Sequence, residues 1–297
     1  YDPLHGLDPE TIVKIKRGGG TIADYPDIGK RDWLAHALVE TAQADVLLEA
    51  SPVNLDQGAE PGLSSIRTAL SRGMHVATPN KGPLVVAYQE LHELAARHKA
   101  KLRFDGTVAG GLPALYLGQR DLRGSVIQQL AAVPNLCTGY VMDMLADGMS
   151  WDEAKARARE GGVLEGDGTW DLEGWDAAAK LVILANAVLA QPASIDDVDL
   201  TGVTRLDPDR LRAARARGEQ YRLLASATRE DDGGYSLRVA PVPLSPEHPL
   251  GRLGTKQMGV VYQTDIYGTI TAIIDEPDPV PSAATMLRDV LDIYVGG

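Results

Sequence analysis

The chain has 297 residues, 44% hydrophobic and 24% charged, enough apolar material to bury a sizeable core in one or two domains and too much for a disordered chain. With 29 Lys+Arg against 41 Asp+Glu, the net charge of −12 argues against a nucleic-acid or anionic-membrane surface and favours work on small molecules in the cytosol. A single cysteine, Cys137, excludes an internal disulfide framework and a multi-cysteine zinc site, and no apolar run reaches the ~18–20 residues of a membrane span.

Pro9 to Arg17 reads as a helix, and Gly18-Gly19-Gly20 as its C-terminus rather than a phosphate-binding turn. Residues 44–50 form a short apolar run ending at Ser51-Pro52, the pattern of a buried parallel strand. Gly62 to Ser71 reads as a helix with Ile66, Ala69 and Leu70 on one face; strand His75–Thr78, helix Leu84–Lys99 and strand Leu102–Phe104 follow. Strands separated by helices of this length imply right-handed βαβ crossovers and a parallel sheet. Further on, Ser150 caps a charged helix to Glu160, and Gly161 to Asp171 is a glycine- and acid-rich connection. Trp175 to Leu189 is a strongly apolar helix, and Arg210 to Arg217 reads as a solvated basic helix face. Antiparallel strands are predicted within 220–240 and 259–275, and a helix from Ala283 to Tyr294 closes the chain.

Open α/β sheets bind ligands beyond the carboxyl ends of their strands, which places a site at Ser51-Pro52 and at Thr78-Pro79-Asn80-Lys81. The chain contains no G-x-G-x-x-G to present backbone N–H groups to a pyrophosphate. Its six histidines show no metal-binding spacing; His75 and His92 read as packing or surface residues. Cys137, expected in a loop beside Asn135, reads as a small buried residue and not a nucleophile.

Three stretches in order carry a family resemblance: Thr78-Pro79-Asn80-Lys81; Phe104-Asp105-Gly106-Thr107-Val108-Ala109-Gly110-Gly111-Leu112-Pro113; and residues 164–181, LEGDGTWDLEGWDAAAKL. They resemble the T-x-N-K strand end, the E-A-[ST]-V-x-x-G-[IL]-P loop and the A-E-A-D-P-x-x-D-x-x-G-x-D-A-x-x-K-L segment of homoserine dehydrogenases, and His248-Pro249-Leu250 is similar to that family's HPLA turn. The resemblance implies an α/β Rossmann-type nucleotide-binding domain over residues 1–106, its first strands upstream of Tyr1, with an inserted α+β substrate and dimerisation domain over 107–275. A C-terminal helix, 276–297, would return to the first domain. It further implies reduction of aspartate semialdehyde to homoserine, a step of amino-acid biosynthesis, with NADPH or NADH. A homodimer through strands between about Gln220 and Asp275 is implied as well.

Carbonyl reduction by a nicotinamide needs a proton donor for the developing alkoxide and groups that hold the substrate against the hydride. Lys81 stands at a strand end, and Lys180 follows Asp176 by four residues on one helix, so those two side chains share a face. The resemblance makes Lys81, Lys180 and Asp176 the catalytic candidates. Glu165, Asp171, Thr107 and Asn135 become substrate contacts, and Ala50, Ser51, Pro52, Thr78 and Asn80 the nicotinamide contacts. The plainer alternative for Asp176 and Lys180 is an ordinary surface ion pair worth ~0.3–0.5 kcal/mol. Val108, Gly110 and Leu112 match positions whose carbonyls hold a structural Na⁺ or K⁺ in the family; a tight glycine turn without an ion is the other reading.

Two segments depart from the family pattern. Asn135-Leu136-Cys137-Thr138-Gly139-Tyr140 stands where the family has N-G-T-T-N-Y, changing the polarity of the substrate pocket. Ile274-Asp275-Glu276-Pro277-Asp278-Pro279 stands where the family has a G-x-G-A-G turn beside the coenzyme, and acids there oppose a pyrophosphate. These departures keep open a second reading, a relative that has lost catalysis and serves as a binding or scaffold protein. A dehydrogenase for a different semialdehyde is a third.

Overall fold

Two sheets organise the chain, which the computed structural model describes over residues 1–164 and 166–295. Helix α1 (Pro9–Arg17) is capped by Asp8, whose carboxylate accepts from Thr11 N at 2.8 Å, and stops at Gly18 with Gly19 at φ +76°; the glycine run is a helix end. Helix α2 (Ala35–Thr41) then leads to β1 (Val46–Leu48), α3 (Gly62–Ser71), β2 (His75–Ala77), α4 (Lys81–Arg97) and β3 (Leu102–Arg103). The three strands pair in parallel in the order β1-β2-β3, with Val76 and the α3 residues Ile66, Ala69 and Leu70 fully buried between sheet and helices. Helix α4 starts at Lys81, three residues before the predicted Leu84. Asn80 caps it by accepting from Gly82 N at 3.0 Å, and Pro83 falls in the first turn, where a missing N–H costs no helical bond.

Beyond β3 come a 3₁₀ turn at Asp105–Thr107, α5 (Ala114–Tyr116), a π-helical turn at Leu117–Asp121 and β4 (Ile127–Val133). They are followed by α6 (Leu136–Ala146), α7 (Trp151–Glu160), α8 (Thr169–Leu172), α9 (Trp175–Ala187), β5 (Val198–Leu200) and α10 (Pro208–Ala216). Two long hairpins complete a six-stranded sheet: β6 (Gln220–Arg229) with β7 (Tyr235–Leu244), and β8 (Gln257–Thr264) with β9 (Gly268–Asp275). Its order is β5-β7-β6-β4-β8-β9, antiparallel except for β5 with β7.

Period-two alternation sends alternate residues of β4 to different cores. Leu130 and Ala132 join the main core, while Ala131 and Val133 pack with Val261, Leu250 and Leu253 in a second cluster under the 245–256 loop. The sequence pattern did not announce β4 or α6. Gln128-Gln129 and Ala131-Ala132 lack β-branching, and Cys137-Thr138-Gly139 is a poor helix former. Cys137 therefore lies in the first turn of α6 and not in a loop, because Asn135 caps that helix by accepting from Thr138 N at 3.1 Å.

The last helix, α11 (Val280–Tyr294), returns to β2, β3 and the Asp105–Thr107 turn. It begins before the predicted Ala283 because Pro281 is tolerated in a first turn. Asp289 is fully buried, accepting from Asp105 N at 3.2 Å and from the Tyr116 hydroxyl at 2.7 Å; Arg288 pairs with Asp105, and Arg103 with Asp292 at 2.6 Å. Burial pushes the Asp289 carboxyl up to about 6, against the Tyr116 hydrogen bond and reinforced by the Asp105 charge. A carboxyl raised in the folded state binds a proton that the unfolded chain has already released, so stability falls as pH rises from about 4 to about 6. Asp289→Asn is expected to flatten that limb in urea midpoints measured across the range. An unchanged pH slope in the variant would show that Asp289 titrates alike in both states.

Candidate active site

Helix α4 of the parallel-sheet half packs against α9 of the other half, and this contact assembles the charged residues singled out in the sequence. Asp176, in the first turn of α9, is 4% exposed. Its Oδ1 lies 2.7 Å from Lys81 Nζ and its Oδ2 2.8 Å from Lys180 Nζ. Both lysines are themselves largely covered, with 16% and 14% of their side chains exposed, so the Asp176–Lys180 pair is not the surface ion pair of the plainer reading. Burial alone would raise the Asp176 carboxyl, but the Lys180 and Lys81 charges outweigh it and hold the group well below the usual carboxylate range. The site thus contains a fixed anion with an ammonium group on each oxygen.

Further groups orient this triad. Lys180 Nζ also donates to Pro134 O at 2.7 Å, which commits two of its three protons. Asn135 donates through Nδ2 to Asp176 Oδ2 at 2.6 Å and to Asp171 Oδ1 at 2.7 Å, so one amide ties two carboxylates together. Burial raises the Asp171 carboxyl, as does the Asp176 charge, with Asn135 and the lysines opposing. The Cys137 thiol, buried and beside both acids, is pushed up to about 12, which removes it as a nucleophile at neutral pH. Thr107 is not brought into this cluster; its hydroxyl donates to Phe104 O at 2.7 Å within its own turn. Glu165 lies outside the described residues.

The strand ends form an adjoining polar patch. Ala50 and Pro52 are exposed beyond β1, while Thr78 and Asn80 are buried beyond β2. Glu49, which the sequence reading passed over, binds them together: it accepts from Ser51 N at 2.8 Å, from the Ser51 hydroxyl, and from the Thr78 hydroxyl at 2.9 Å. Asn80 Nδ2 reaches Ser51 Oγ at 3.3 Å. A Cβ on Gly62, at the start of α3, would stand 2.7 Å from Asn80 Nδ2, so only glycine leaves this cradle intact. The visible signal for Glu49 was a charged residue directly after an apolar strand. Asn80 and Lys81 are consecutive, which makes the patch continuous with the lysine site.

The Val108, Gly110 and Leu112 loop is curled by Ala109 and Gly110 at φ +56° and +55°. Leu112 O accepts from Ala114 N at 2.7 Å, while the described residues offer no donor to the carbonyl oxygens of Val108 and Gly110. The acidic 275–278 turn makes hydrogen bonds within the fold. Glu276 accepts from Gly111 N at 3.1 Å and from Ser282 Oγ at 2.8 Å, and Asp278 accepts from Val280 N, the first residue of α11, at 2.8 Å.

A three-stranded parallel sheet is thus joined to a second α+β unit, with a largely covered lysine–aspartate–lysine site where α4 meets α9, beyond strand ends of the kind at which open α/β sheets bind ligands. Residues 113–291 match the model of the homoserine dehydrogenase family. The NAD(+)-dependent homoserine dehydrogenase of Pseudomonas canavaninivorans is 32% identical over 98% of this chain and 82% of its own. The homoserine dehydrogenase of Methanocaldococcus jannaschii is 32% identical over 97% and 84%. A hyperthermophilic archaeal homoserine dehydrogenase solved in complex with NADPH shares the fold, with a TM-score of 0.84 over 98% of this chain and 84% of its own at 24% identity. The chain belongs to the homoserine dehydrogenase family.

Replacing Asp176 by Asn would leave two ammonium groups flanking a neutral amide in a covered site. Loss of about 3 kcal/mol in urea unfolding at pH 7 is expected, the scale of breaking a buried pair from one side. A loss below about 1 kcal/mol would place the lysines in effectively aqueous surroundings.

Proposed function

We propose that this protein interconverts L-homoserine and L-aspartate 4-semialdehyde with NAD or NADP, a step of amino-acid biosynthesis. The carrying observation is the Lys81–Asp176–Lys180 triad, buried beside the strand ends at which a nicotinamide would lie. Ser51, Thr78 and Asn80, with Ala50 and Pro52 at the rim, would hold the nicotinamide and its ribose in the cradle that Gly62 keeps open. When bound, the coenzyme supplies or accepts the hydride.

The remaining steps belong to the chain. Asp176 and Pro134 O fix two protons of the Lys180 ammonium, and the third is free to reach the oxygen of a bound carbonyl. In the reducing direction that proton passes to the developing alkoxide; in the oxidising direction the neutral amine takes it from the hydroxyl. Lys81 neutralises the other Asp176 oxygen and adds a second positive charge near the reacting oxygen. Asp171, held by Asn135, offers a carboxylate oxygen to the substrate ammonium, with Glu165 proposed as its companion. Since the assembled triad has a direct catalytic use, it favours the enzyme over the scaffold reading.

Two structural proposals accompany this reading. The Val108, Gly110 and Leu112 carbonyls would hold a Na⁺ or K⁺, supported by the two oxygens that lack donors. Two copies would associate through the β6–β9 sheet, supported by its edge strand β9, on which Ile273 is 46% exposed.

The test is steady-state oxidation of L-homoserine with NAD⁺ and NADP⁺. Lys180→Ala is expected to lower kcat by ~10²-fold or more while the protein stays folded, as loss of a general acid would. Turnover equal to wild type would remove Lys180 from the reaction. Coenzyme binding without turnover on homoserine or any related hydroxy acid would instead support the scaffold.

A further inference from the structure

A large cavity lies away from the triad. It holds about 910 Å³ between the C-terminal half of α4, β3, the π-helical turn and the end of α9. Neither lysine of the triad lines it, and His92 on its wall is about 16 Å along α4 from Lys81. A volume of this size matches a nucleotide-sized ligand.

Its walls carry a net positive charge in a protein whose net charge is negative. Lys101, Arg103, Arg120 and Arg123 line it against two carboxylates, Asp105 and Asp292, although the whole chain has a net charge of −12. Asp105 is already matched by Arg288. Arg123 is exposed, and its one hydrogen bond among the described residues runs from Nε to Gln119 O at 3.3 Å, so the other edge of its guanidinium is free. Arg120 stacks 4.9 Å above the Tyr116 ring and meets Asp292 only at 3.3 Å. The arginines thus stand on two elements, Arg103 on β3 and Arg120 and Arg123 at and beyond the π-helical turn. π-Helical segments recur at functional sites, and this one sets Arg120 against the cavity.

We propose that this cavity binds a polyanionic small molecule with at least two phosphate or carboxylate groups, one facing Lys101 and Arg103 and one facing Arg120 and Arg123. Guanidinium groups suit such oxyanions through paired N–H donors. Asp292 bridges Arg103 and Arg120 from α11 and acts as the internal competitor; a ligand anion would displace it from Arg120 first, where the contact is longer. Occupancy would therefore be felt by the last helix, which also holds the Asp105–Thr107 turn.

Calorimetric titration of the purified protein with inorganic tripolyphosphate tests this, with Arg123→Glu and Arg120→Glu/Arg123→Glu as the variants. The expected result is binding that weakens roughly tenfold in Arg123→Glu and is lost in the double variant, while in Arg123→Glu the melting temperature and homoserine oxidation without tripolyphosphate stay at the wild-type level. Absence of binding at millimolar tripolyphosphate would overturn the proposal. Equal affinity in wild type and Arg123→Glu would overturn it too, by placing the anion elsewhere, for instance at the lysine triad.

Discussion

A buried carboxylate between two buried ammonium groups is the interaction on which the rest of this structure depends. Taking one charge out of water costs several kcal/mol, and only close partners return it. Asp176 has four compensations: Lys81 on one oxygen, Lys180 and the Asn135 amide on the other, and its place in the first turn of α9, where the helix dipole favours a negative charge. Lys81 stands at the first residue of α4, where the dipole disfavours a cation, and the Asp176 charge offsets this. That ion pair holds α4 and α9 in one relative placement. This registers the nucleotide-side sheet against the six-stranded unit.

How much of this was legible in the sequence follows from how local each relation is. Lys180 follows Asp176 by one helical turn, so their shared face could be read directly. The link from Asp176 to Lys81 depends on two helices from different halves packing together, which no periodicity announces; only the family motifs brought them to one list. Helix α3 and the glycine helix end after α1 were read correctly because their signals lie within one element. Helices α4 and α11 start three residues before the expected Leu84 and Ala283, each with a proline in its first turn, where the missing N–H breaks no helical bond. Strand β4 was invisible because its stability comes from being sandwiched between β6 and β8, not from its Gln- and Ala-rich sequence.

Glu49 and Gly62 show a different kind of blindness. Neither belongs to a motif, yet Glu49 gathers Ser51 and Thr78, and Gly62 leaves Asn80 its space. A carboxylate at the end of an apolar strand is costly unless it collects donors, and here the donors are the residues expected to face the nicotinamide. These side chains are tied to one another within the protein itself, which would reduce the ordering cost of binding at the strand ends. Because Asn80 caps α4 as well as reaching Ser51, movement at the strand ends would be transmitted to Lys81, the next residue.

The altered 274–279 turn fits the same logic of charges consumed within the fold. Where the family has small, mobile glycines, this chain has acids and prolines, and each engaged acid secures a backbone group. Glu276 takes Gly111 N, and a Cβ on Gly110 would stand 2.1 Å from its Oε1, so the acid and the glycine require one another. Asp278 accepts from the N–H of Val280, the first residue of the helix whose Asp289 and Arg288 grip the 105–107 turn. The 105–112 loop is thus clasped from one side by the acidic turn and from the other by α11, while it runs on into the segment that leads to β4. Glycine flexibility has been replaced by hydrogen bonds to carboxylates. The loop's geometry therefore depends on the Glu276 contact and on α11 staying docked.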